Sequence, residues 1–455
     1  MNPGGIAPAG LNFAPACQRL EGALVFNYNR IWNNRGKVLS FPPFGKDGAD
    51  AGREWVGSMK WIASAAFGME GMTGRDLKHL GMRDVQVLDV GGAAFEGGFE
   101  DAFRANLWLR TCDRIMLVMA QFEAKTYEAL FQGVKAIEWE RLLPADAAFP
   151  IRARCVRSQL MSPSDVQKIG KRAIVERMKV AYGTDWFSET GVTFQVDVVI
   201  RNDQVTVSLD ASGEPLSRRG YRTWNGEAPL RETLAAALVL QSGWHPWEPL
   251  YDPCCGTGTI LIEAAFIALG RAPGLTRHFA MERWPCAPID ALNDIRREAR
   301  LRFEEGSKRA LNIAGSDIDP EAIELAGRHL KQAGLAGRIE LNVCDMREVN
   351  LGGEAGTFIA NPPYGERLDN ARAAHAVARQ LGALQERHPG WRLCAFSADV
   401  GFEHAYGRRA TRRRRYYNGR IECEYRIFEA GKGGRRDARG GSSAQDRTKT
   451  GKATR

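Results

Sequence analysis

Five strand-like runs in the second half of the chain each end in a polar residue, and this pattern limits the possible folds more than any other feature. From about residue 213, short apolar runs alternate with longer helical segments, which predicts a parallel sheet covered by helices. The runs end at Asp252, Asp317, Asp345, Asn361 and Ser397. Because ligands bind outside the carboxyl ends of such strands, these side chains predict one continuous site.

The composition is that of a globular protein. The chain has 455 residues, of which 44% are hydrophobic and 26% charged, so most of it should fold into two or three domains. The longest apolar runs, such as 234–240, are far too short to span a bilayer, and the N-terminus lacks the pattern of a secretory signal. Nine scattered cysteines without a CxxC pair indicate neither a disulfide framework nor a metal site. We therefore expect a cytoplasmic protein without a membrane segment.

The chain divides into segments of different character. Residues 1–58 are rich in Gly, Pro, Asn and Ala and predict a poorly ordered extension. Mixed helix and strand patterns predict an α+β module over about 59–212. Its clearest helix begins after Ser162, an N-cap followed by proline. In the second half, Asp252 and Asp317 are further apart than one βαβ unit allows, which predicts a helical insertion at about 271–311.

Two basic segments are candidates for contact with a nucleic acid. The helix after Ser162 has basic side chains between its apolar positions, at Lys168, Lys171, Arg172 and Lys179. A second run, residues 408–415, holds six arginines, among them Arg412 and Arg413, beside two tyrosines. Arginines next to aromatic rings suit phosphate contact with base stacking, whereas the alternative is a solvated basic surface.

The net charge of +9 comes largely from the end of the chain. Residues 431–455 contain eight Lys or Arg against two Asp. With their Gly and Ser content, they predict a disordered basic tail. Such a tail is compatible with a polyanionic partner and equally with a merely solubilising end.

The segment DPCCGTGT, residues 252–259, follows an apolar approach and opens a helical run. Glycines let a ligand come close to the backbone, and the helix N-terminus offers free N–H groups. An acid before the turn would repel a pyrophosphate but suits the amino group of a cationic ligand such as S-adenosylmethionine. The pattern predicts a ligand-binding turn at Asp252, Gly256 and Gly258, with an ordinary tight turn as the alternative.

A second acidic turn, GSDIDP at residues 315–320, follows another strand-like run. Asp317 is nearest to the strand and is the candidate acceptor for ribose hydroxyls, while Asp319 is interpreted as an N-cap of the next helix. Asp345 ends the following run. It is a candidate partner for an adenine amino group, or else a residue that caps its own loop.

The segment NPPY, residues 361–364, follows a short apolar strand. Its two prolines, Pro362 and Pro363, cannot continue a ladder, so the chain leaves the sheet in a rigid turn. That turn would fix the Asn361 side-chain oxygen and the Pro362 carbonyl as two acceptors that point the same way. Such acceptors favour the pyramidal form of an exocyclic nucleobase amine, which attacks a sulfonium methyl group, and Tyr364 can stack on the base.

Five segments resemble one known family. They are DPCCGTGTILIEAA, GSDIDP, NPPYGERL, RRGYR at 218–222 and APLRETLAAALVLQSGW at 228–244. Together they resemble the THUMP-domain class I methyltransferases of the RlmL type, which modify guanine N2 in 23S ribosomal RNA. The resemblance extends over about 59–429. It implies a ferredoxin-like segment, a THUMP RNA-binding domain and a Rossmann-like methyltransferase domain, at 59–100, 101–212 and 213–430.

The resemblance also implies a role for each candidate residue. S-adenosylmethionine would be the methyl donor, and the substrate would be RNA, either 23S ribosomal RNA or a ribosomal precursor. Asp252, Gly256 and Gly258 would line the methionine end of the donor. Asp317 would hold its ribose and Asp345 its adenine, and the NPPY segment would hold the target base.

Three other functions remain open from the sequence. A DNA adenine-N6 methyltransferase uses the same NPPY chemistry, although the α+β module before it favours the RNA family. A related THUMP enzyme that methylates transfer RNA is a closer alternative. A non-catalytic RNA-binding assembly factor is the third, and it is disfavoured because every expected site position is occupied.

Overall fold

The computed structural model describes residues 58–222, 230–363 and 371–431. Residues 1–57 of the predicted extension, Tyr364 of the NPPY segment and residues 432–455 of the predicted tail lie outside these ranges. The described residues form two seven-stranded sheets, each with its own helices.

The N-terminal sheet is mostly antiparallel and has the strand order β2-β3-β1-β4-β7-β6-β5. Its strands are β1 (Met59–Ala65), β2 (Arg83–Val87), β3 (Gly92–Gly97), β4 (Cys112–Glu123), β5 (Ile151–Val156), β6 (Val196–Arg201) and β7 (Gln204–Asp210). Four helices accompany them: α1 (Glu70–His79), α2 (Phe99–Trp108), α3 (Tyr127–Lys135) and α4 (Pro163–Tyr182). Strand β4 pairs with both β1 and β7, so the sheet is continuous across this half.

The C-terminal sheet has the order β10-β9-β8-β11-β12-β14-β13. Its strands are β8 (Leu250–Asp252), β9 (Ile313–Asp317), β10 (Glu340–Val343), β11 (Gly356–Ala360), β12 (Trp391–Ser397), β13 (Arg412–Asn418) and β14 (Ile421–Phe428). Its helices are α5 (Glu232–Gln241), α6 (Thr259–Ala268), α7 (Ile289–Ser307), α8 (Pro320–Gln332), α9 (Ala371–Arg387) and α10 (Phe402–Tyr406). The first five strands in this order are parallel to each other. Strand β14 is antiparallel to β12, and β13 is antiparallel to β14.

Helices cover both faces of this sheet. Since successive side chains of a strand point to opposite faces, each strand packs against helices on both sides. On β11, Ile359 packs into one apolar core with α5, α6 and α8, whereas Phe358 and Ala360 pack into a second core with α9 and α10. The predicted α/β class, a Rossmann-like domain preceded by an α+β module, is therefore confirmed.

The start of α4 agrees with the sequence. Ser162 is the N-cap, its Oγ accepts a hydrogen bond from the Asp165 N–H, and Pro163 is the first helical residue. Alternating apolar residues on either side of Asn202 and Asp203 predict a hairpin. Strands β6 and β7 form it, with both residues in the turn at positive φ.

Two strand ends differ from the prediction. Strand β10 ends at Val343, so Asp345 lies two residues beyond it and not at its end. The Asn418-Gly419 pair between two alternating runs predicts a C-terminal hairpin with these two residues as its loop. The hairpin forms, but Asn418 still pairs with Ile421, which leaves Gly419 and Arg420 as the loop. Gly419 takes a positive φ as the first loop residue, a position that glycine tolerates without strain.

The predicted insertion is present and joins the two halves. It contains α7, which packs against α2 of the N-terminal half. Ahead of α7, the Trp284 ring stacks on Phe194 at 5.3 Å and meets the edge of Phe99 at 6.2 Å. These residues belong to one apolar core that the N-terminal sheet shares with the insertion. Among the described helices, none is both long and apolar enough to cross a membrane.

Candidate active site

The topology brings three of the predicted polar strand ends together. Strand β8 lies between β9 and β11, at the point where the strand order reverses direction. Asp252 ends β8, Asp317 ends β9, and Asn361 directly follows β11. This reversal point at the carboxyl edge is where open α/β sheets bind their ligands.

The Gly-rich turn is held by the neighbouring strand. The Cys255 N–H donates to the Ser316 carbonyl at 2.9 Å, and the Gly256 N–H donates to Asp317 Oδ2 at 2.8 Å. Gly256 and Gly258 both take positive φ, and a Cβ on Gly258 would lie 3.3 Å from the Cβ of Ala326. A Cβ on Gly256 would meet nothing within 4 Å, so there is open space above this part of the turn.

Two carboxylates face this turn. Asp252 is 1% exposed, and its Oδ1 accepts a hydrogen bond of 3.1 Å from the Cys254 N–H. Burial raises the pKa of Asp252 well above its usual value, and the nearby charge of Asp317 raises it further. Two acids close together in a buried turn disfavour each other's ionised forms, so the turn suits a cationic ligand.

The two acids of GSDIDP make different contacts in the structure. Asp319 Oδ1 accepts from the Glu321 N–H at 2.9 Å, which makes it the N-cap of α8 as the sequence predicts. Asp317 Oδ1 accepts from the Asp319 N–H at 3.1 Å, while its other oxygen contacts the Gly-rich turn. Asp317 is thus the acid next to the open space, in agreement with its selection from the sequence.

Asp345 lies on the same edge but is engaged by a neighbour. Its carboxylate accepts from the Arg347 backbone N–H at 2.8 Å and from the Arg347 guanidinium at 2.6–3.0 Å. The hydrogen bonds from the Arg347 side chain lower the pKa of Asp345. An adenine amino group would share the carboxylate with Arg347, so the loop-capping alternative describes the contacts that Asp345 makes in this structure.

Asn361 begins the proline turn beside the Gly-rich turn. Its side-chain Oδ1 is buried and accepts no hydrogen bond from any described residue. Pro362 is buried and Pro363 is exposed. Burial raises the pKa of the Cys254 thiol well above its usual value, while a hydrogen bond with the Asn361 backbone acts in the opposite direction. This contact brings the two motifs together, and an unpartnered buried oxygen next to it is available to a ligand donor.

Further polar residues support the turn, and the sequence interpretation gave them no role. Arg222 Nη2 donates to Thr259 Oγ1 at 2.9 Å, at the first residue of α6, and its Nε lies 3.6 Å from Glu232 Oε1. The Tyr221 hydroxyl donates to Glu263 Oε1 on α6 at 3.1 Å. The segments RRGYR and APLRET are the sequence feature that could have pointed to these residues. Their contact with α6 could not be predicted, because it depends on tertiary structure.

The candidate RNA-binding side chains of α4 differ in their surroundings. Lys168 and Arg172 are exposed, and Arg172 lies over the Phe131 ring at 5.3 Å. Lys171 Nζ contacts Glu189 Oε2 at 2.6 Å, and Lys179 Nζ lies within 3.6 Å of two acids, Glu176 and Asp185. Part of the charge on this face is therefore balanced within the protein.

The last four arginines of the run, residues 412–415, begin strand β13 at the far edge of the C-terminal sheet, and Arg408 and Arg409 precede it. Arg412 contacts Glu429 at 2.7 Å, and Arg413 contacts Glu403 at 2.5 Å. These pairs are exposed on the arginine side and stabilise the strand only weakly. RNA contact by the basic residues of α4 and β13 stays a prediction.

Comparison with protein families assigns each part of the chain. Residues 60–116 match the RlmL ferredoxin-like domain, residues 124–210 match the THUMP domain, and residues 219–427 match the RMKL-like methyltransferase domain. The matches follow the order of the two sheets and include every candidate residue of the C-terminal edge.

Similar proteins cover nearly the same length. YpsC of Bacillus subtilis, named as a candidate RNA methyltransferase, is 40% identical over 368 residues, which are 80% of this chain and 94% of YpsC. A Listeria monocytogenes structure, named as a predicted N6-adenine-specific DNA methylase, is 40% identical with a TM-score of 0.78, over 82% of this chain and 97% of its own. SMU.472, a candidate methyltransferase, is 36% identical with a TM-score of 0.77, over 82% and 98%.

The structure of SMU.472 contains SAH, S-adenosylhomocysteine, which is what S-adenosylmethionine becomes after it gives up its methyl group. The buried Asp252, the neighbouring Asp317 and the open space at Gly256 fit a donor with a positive sulfonium and ammonium group. S-adenosylmethionine is therefore the cofactor. The chain belongs to the RlmL-type family of THUMP-containing, S-adenosylmethionine-dependent class I methyltransferases.

Proposed function

We propose that the protein methylates the exocyclic N2 amine of a guanine in 23S ribosomal RNA. The observation that carries this proposal is the buried Asn361 Oδ1, which accepts no hydrogen bond from the described residues and lies beside the donor turn. The THUMP match at 124–210 and the name of YpsC support RNA as the substrate.

The chemistry asks little of the protein beyond orientation. An exocyclic amine is a poor nucleophile because its lone pair is conjugated with the ring. Asn361 Oδ1 and the Pro362 carbonyl would accept the two N–H groups of the amine, which favours a lone pair directed at the methyl group. Bound S-adenosylmethionine supplies an electrophilic methyl group. The amine nitrogen would form a bond to the methyl carbon as the sulfur–methyl bond of the donor breaks, with that electron pair left on the sulfur. The methylated nitrogen would then lose one proton to solvent and become neutral again.

The same acceptors would also suit the N6 amine of adenine, the activity named for the Listeria structure. Recognition by Asn361 and Pro362 does not distinguish the two amines, so the choice depends on other contacts to the base. The N-terminal sheet favours RNA because its second part matches a THUMP domain. Guanine N2 is the choice that the motif resemblance supports.

The target is tested by mass spectrometry of nucleosides from purified 23S ribosomal RNA and transfer RNA, with and without the gene. We expect N2-methylguanosine in 23S RNA to fall in the deletion strain and to return with the gene. A fall in transfer RNA only would establish the alternative THUMP activity. Loss of N6-methyladenosine would assign the adenine reaction, and no change in any nucleoside would favour a non-catalytic factor.

The role of Asn361 is tested by Asn361→Ala in the purified protein. Methyl transfer should fall on the order of 100-fold, as when one oriented group that stabilises a transition state is removed. The dissociation constant for S-adenosylmethionine should stay within about twofold, because Asn361 is proposed to touch only the base. Asn350→Ala, an exposed position in a loop of the same half, is the control. An equal loss of donor affinity would make Asn361 a structural residue.

A further inference from the structure

A cleft between the two halves of the molecule has no role in the reaction described so far. It has a volume of about 370 Å³. One wall is the turn between β1 and α1, the other is the tip of the β13–β14 hairpin, and the start of α5 closes it. Its lining residues are Ala66, Phe67, Met69, Arg231, Thr233, Leu234, Tyr417 and Gly419.

The register of the sheet places this cleft on the catalytic edge. Strand β12 ends at Ser397, which pairs with Glu424 of β14. The hairpin tip, including Tyr417, therefore extends beyond the carboxyl end of β12, on the side where the neighbouring strands present Asn361 and the acids. At the end of the cleft that α5 closes, Glu232 is next to Arg231 and pairs with Arg222, which in turn binds the first residue of α6.

Two aromatic rings line the opening in fixed positions. Phe67 is 49% exposed, and its ring lies edge-on to Tyr417 with centroids 5.6 Å apart. The turn that carries Phe67 is tightly packed, since a Cβ on Gly68 would lie 2.4 Å from the Arg415 carbonyl oxygen. Tyr416 is fully buried in the same core as Met69. A half-exposed phenylalanine on a rigid turn offers a flat apolar face that is already ordered before binding.

The charges around the rings are mixed, since Glu422 accepts a hydrogen bond from the Tyr417 hydroxyl at 2.7 Å and arginines lie nearby. The Arg231 side chain is 59% exposed, and its nearest described acid is Asp113, with Nη1 3.9 Å from Oδ2. Arg420 is exposed in the hairpin loop, three residues after Tyr417. Arg415 lies on the same face of β13 as Tyr417 and contacts Glu422 at 3.0 Å. Aromatic faces together with arginines are the combination that holds single-stranded nucleic acid, since bases stack on the rings and phosphates approach the cations.

We propose that this cleft binds an unpaired nucleotide of the substrate RNA, with its base stacked on Phe67 or Tyr417 and a phosphate near Arg231. This inference rests on the proposed RNA substrate and adds a second contact beside the target base. A base held at the hairpin tip and a target base at Asn361 would fix the strand at two points of one edge. Such a strand must be unpaired between the two points, so the substrate class is a loop or a single-stranded segment.

The experiment compares Phe67→Ala, Tyr417→Ala and Arg231→Ala with two controls. Tyr417→Phe keeps the ring and removes only the hydroxyl that donates to Glu422. Trp247→Ala removes another exposed ring, 60% exposed, which lies before β8 and therefore at the opposite edge of the sheet. Thermal unfolding and the dissociation constant for S-adenosylmethionine are measured for each variant. Binding of RNA from the deletion strain is measured without donor, and methyl transfer is measured with donor.

Each of the two ring deletions should raise the dissociation constant and the KM for RNA roughly 10-fold, the scale that removal of one base stack gives. Arg231→Ala should weaken RNA binding and reduce its dependence on salt. Both controls and the donor affinity should match the wild type, and the ring variants should unfold at a modestly lower temperature because the Phe67–Tyr417 contact is lost. If the ring variants bind and methylate RNA as the wild type does, the proposal is wrong. If the wild type binds RNA and the ring variants do not, but no RNA is methylated, the RNA-binding role of the cleft is supported and the proposed function is wrong.

Discussion

At the scale of single residues, Asp252 is a buried acid whose ionisation is costly in the donor-free protein. Its carboxyl group is buried and lies near the charge of Asp317, and both effects raise its pKa. A raised pKa means that the folded, donor-free protein binds more protons than the unfolded chain at pH values above the usual carboxyl range. Asp252 therefore lowers the free energy of unfolding of the donor-free protein as the pH rises from the usual carboxyl pKa to the raised pKa of this group.

Asp252→Asn should separate donor binding from stability. The amide keeps an oxygen for the Cys254 N–H but has no charge to bury. The donor-free variant should unfold at a temperature equal to or above that of the wild type at pH 7, and its affinity for S-adenosylmethionine should fall 10-fold or more. In the wild type, affinity should decrease as the pH falls through the raised pKa, because the cation favours the ionised acid.

Calorimetric titrations at several pH values measure this effect. Asp319→Asn is the control, since asparagine also caps a helix and the position is exposed. A variant with unchanged donor affinity and a lower unfolding temperature would show that Asp252 serves only to hold the turn through Cys254.

At the scale of elements, the sequence predicted best the parts that depend on neighbouring residues. The Ser162 cap and the Asn202–Asp203 turn form as expected because their hydrogen bonds and backbone angles are local. Strand β3, Gly92–Gly97, was not predicted, since its glycines and alanines have little strand propensity and it is held by pairing with β1 and β2.

The active site shows the same division. The polar strand ends and the Asp319 cap could be predicted because they follow from strand order and helix chemistry. The contact of Cys254 with the Asn361 backbone joins residues more than a hundred positions apart, and the Arg222–Thr259 bond depends on how RRGYR packs on α6. Neither can be derived from local spacing.

The basic helix α4 leads to a graded prediction for RNA binding. Lys168 and Arg172 are exposed, whereas Lys171 and Lys179 contact acids. Replacing Lys168 and Arg172 together by alanine should reduce the salt dependence of RNA affinity, by roughly 0.7 to 0.9 in the logarithmic slope for each phosphate that the protein no longer neutralises. Replacing Lys171 should have a smaller effect because its charge is already balanced by Glu189.

Filter binding of RNA over a range of salt concentrations measures these slopes. Arg297→Ala on α7 is the control, since this arginine is exposed and paired with Asp294 on a helix outside the N-terminal module. Equal slopes for the wild type and the Lys168/Arg172 variant would identify the face as a solvated basic surface.

At the scale of the whole molecule, the insertion of the methyltransferase domain determines where the RNA-binding module lies. Trp284 is buried between Phe99 and Phe194 of the N-terminal half, and Arg104 of α2 contacts Glu298 of α7 at 3.2 Å. The turn at Phe67 forms a second junction with the hairpin. Because both junctions are packed, RNA that binds to the first half would lie at a defined distance from the active site.

Trp284→Ala tests whether this junction couples the two halves. Removing a buried tryptophan costs about 3–5 kcal/mol, so the variant should unfold at a lower temperature. If the halves stabilise each other, the wild type should unfold in one calorimetric transition and the variant in two, while Trp247→Ala, an exposed ring, should change neither. The KM for RNA should rise more than the dissociation constant for S-adenosylmethionine, because the donor turn is built within the second half alone. A variant that keeps a single transition and the wild-type KM would show that the insertion stabilises its own domain without positioning the RNA.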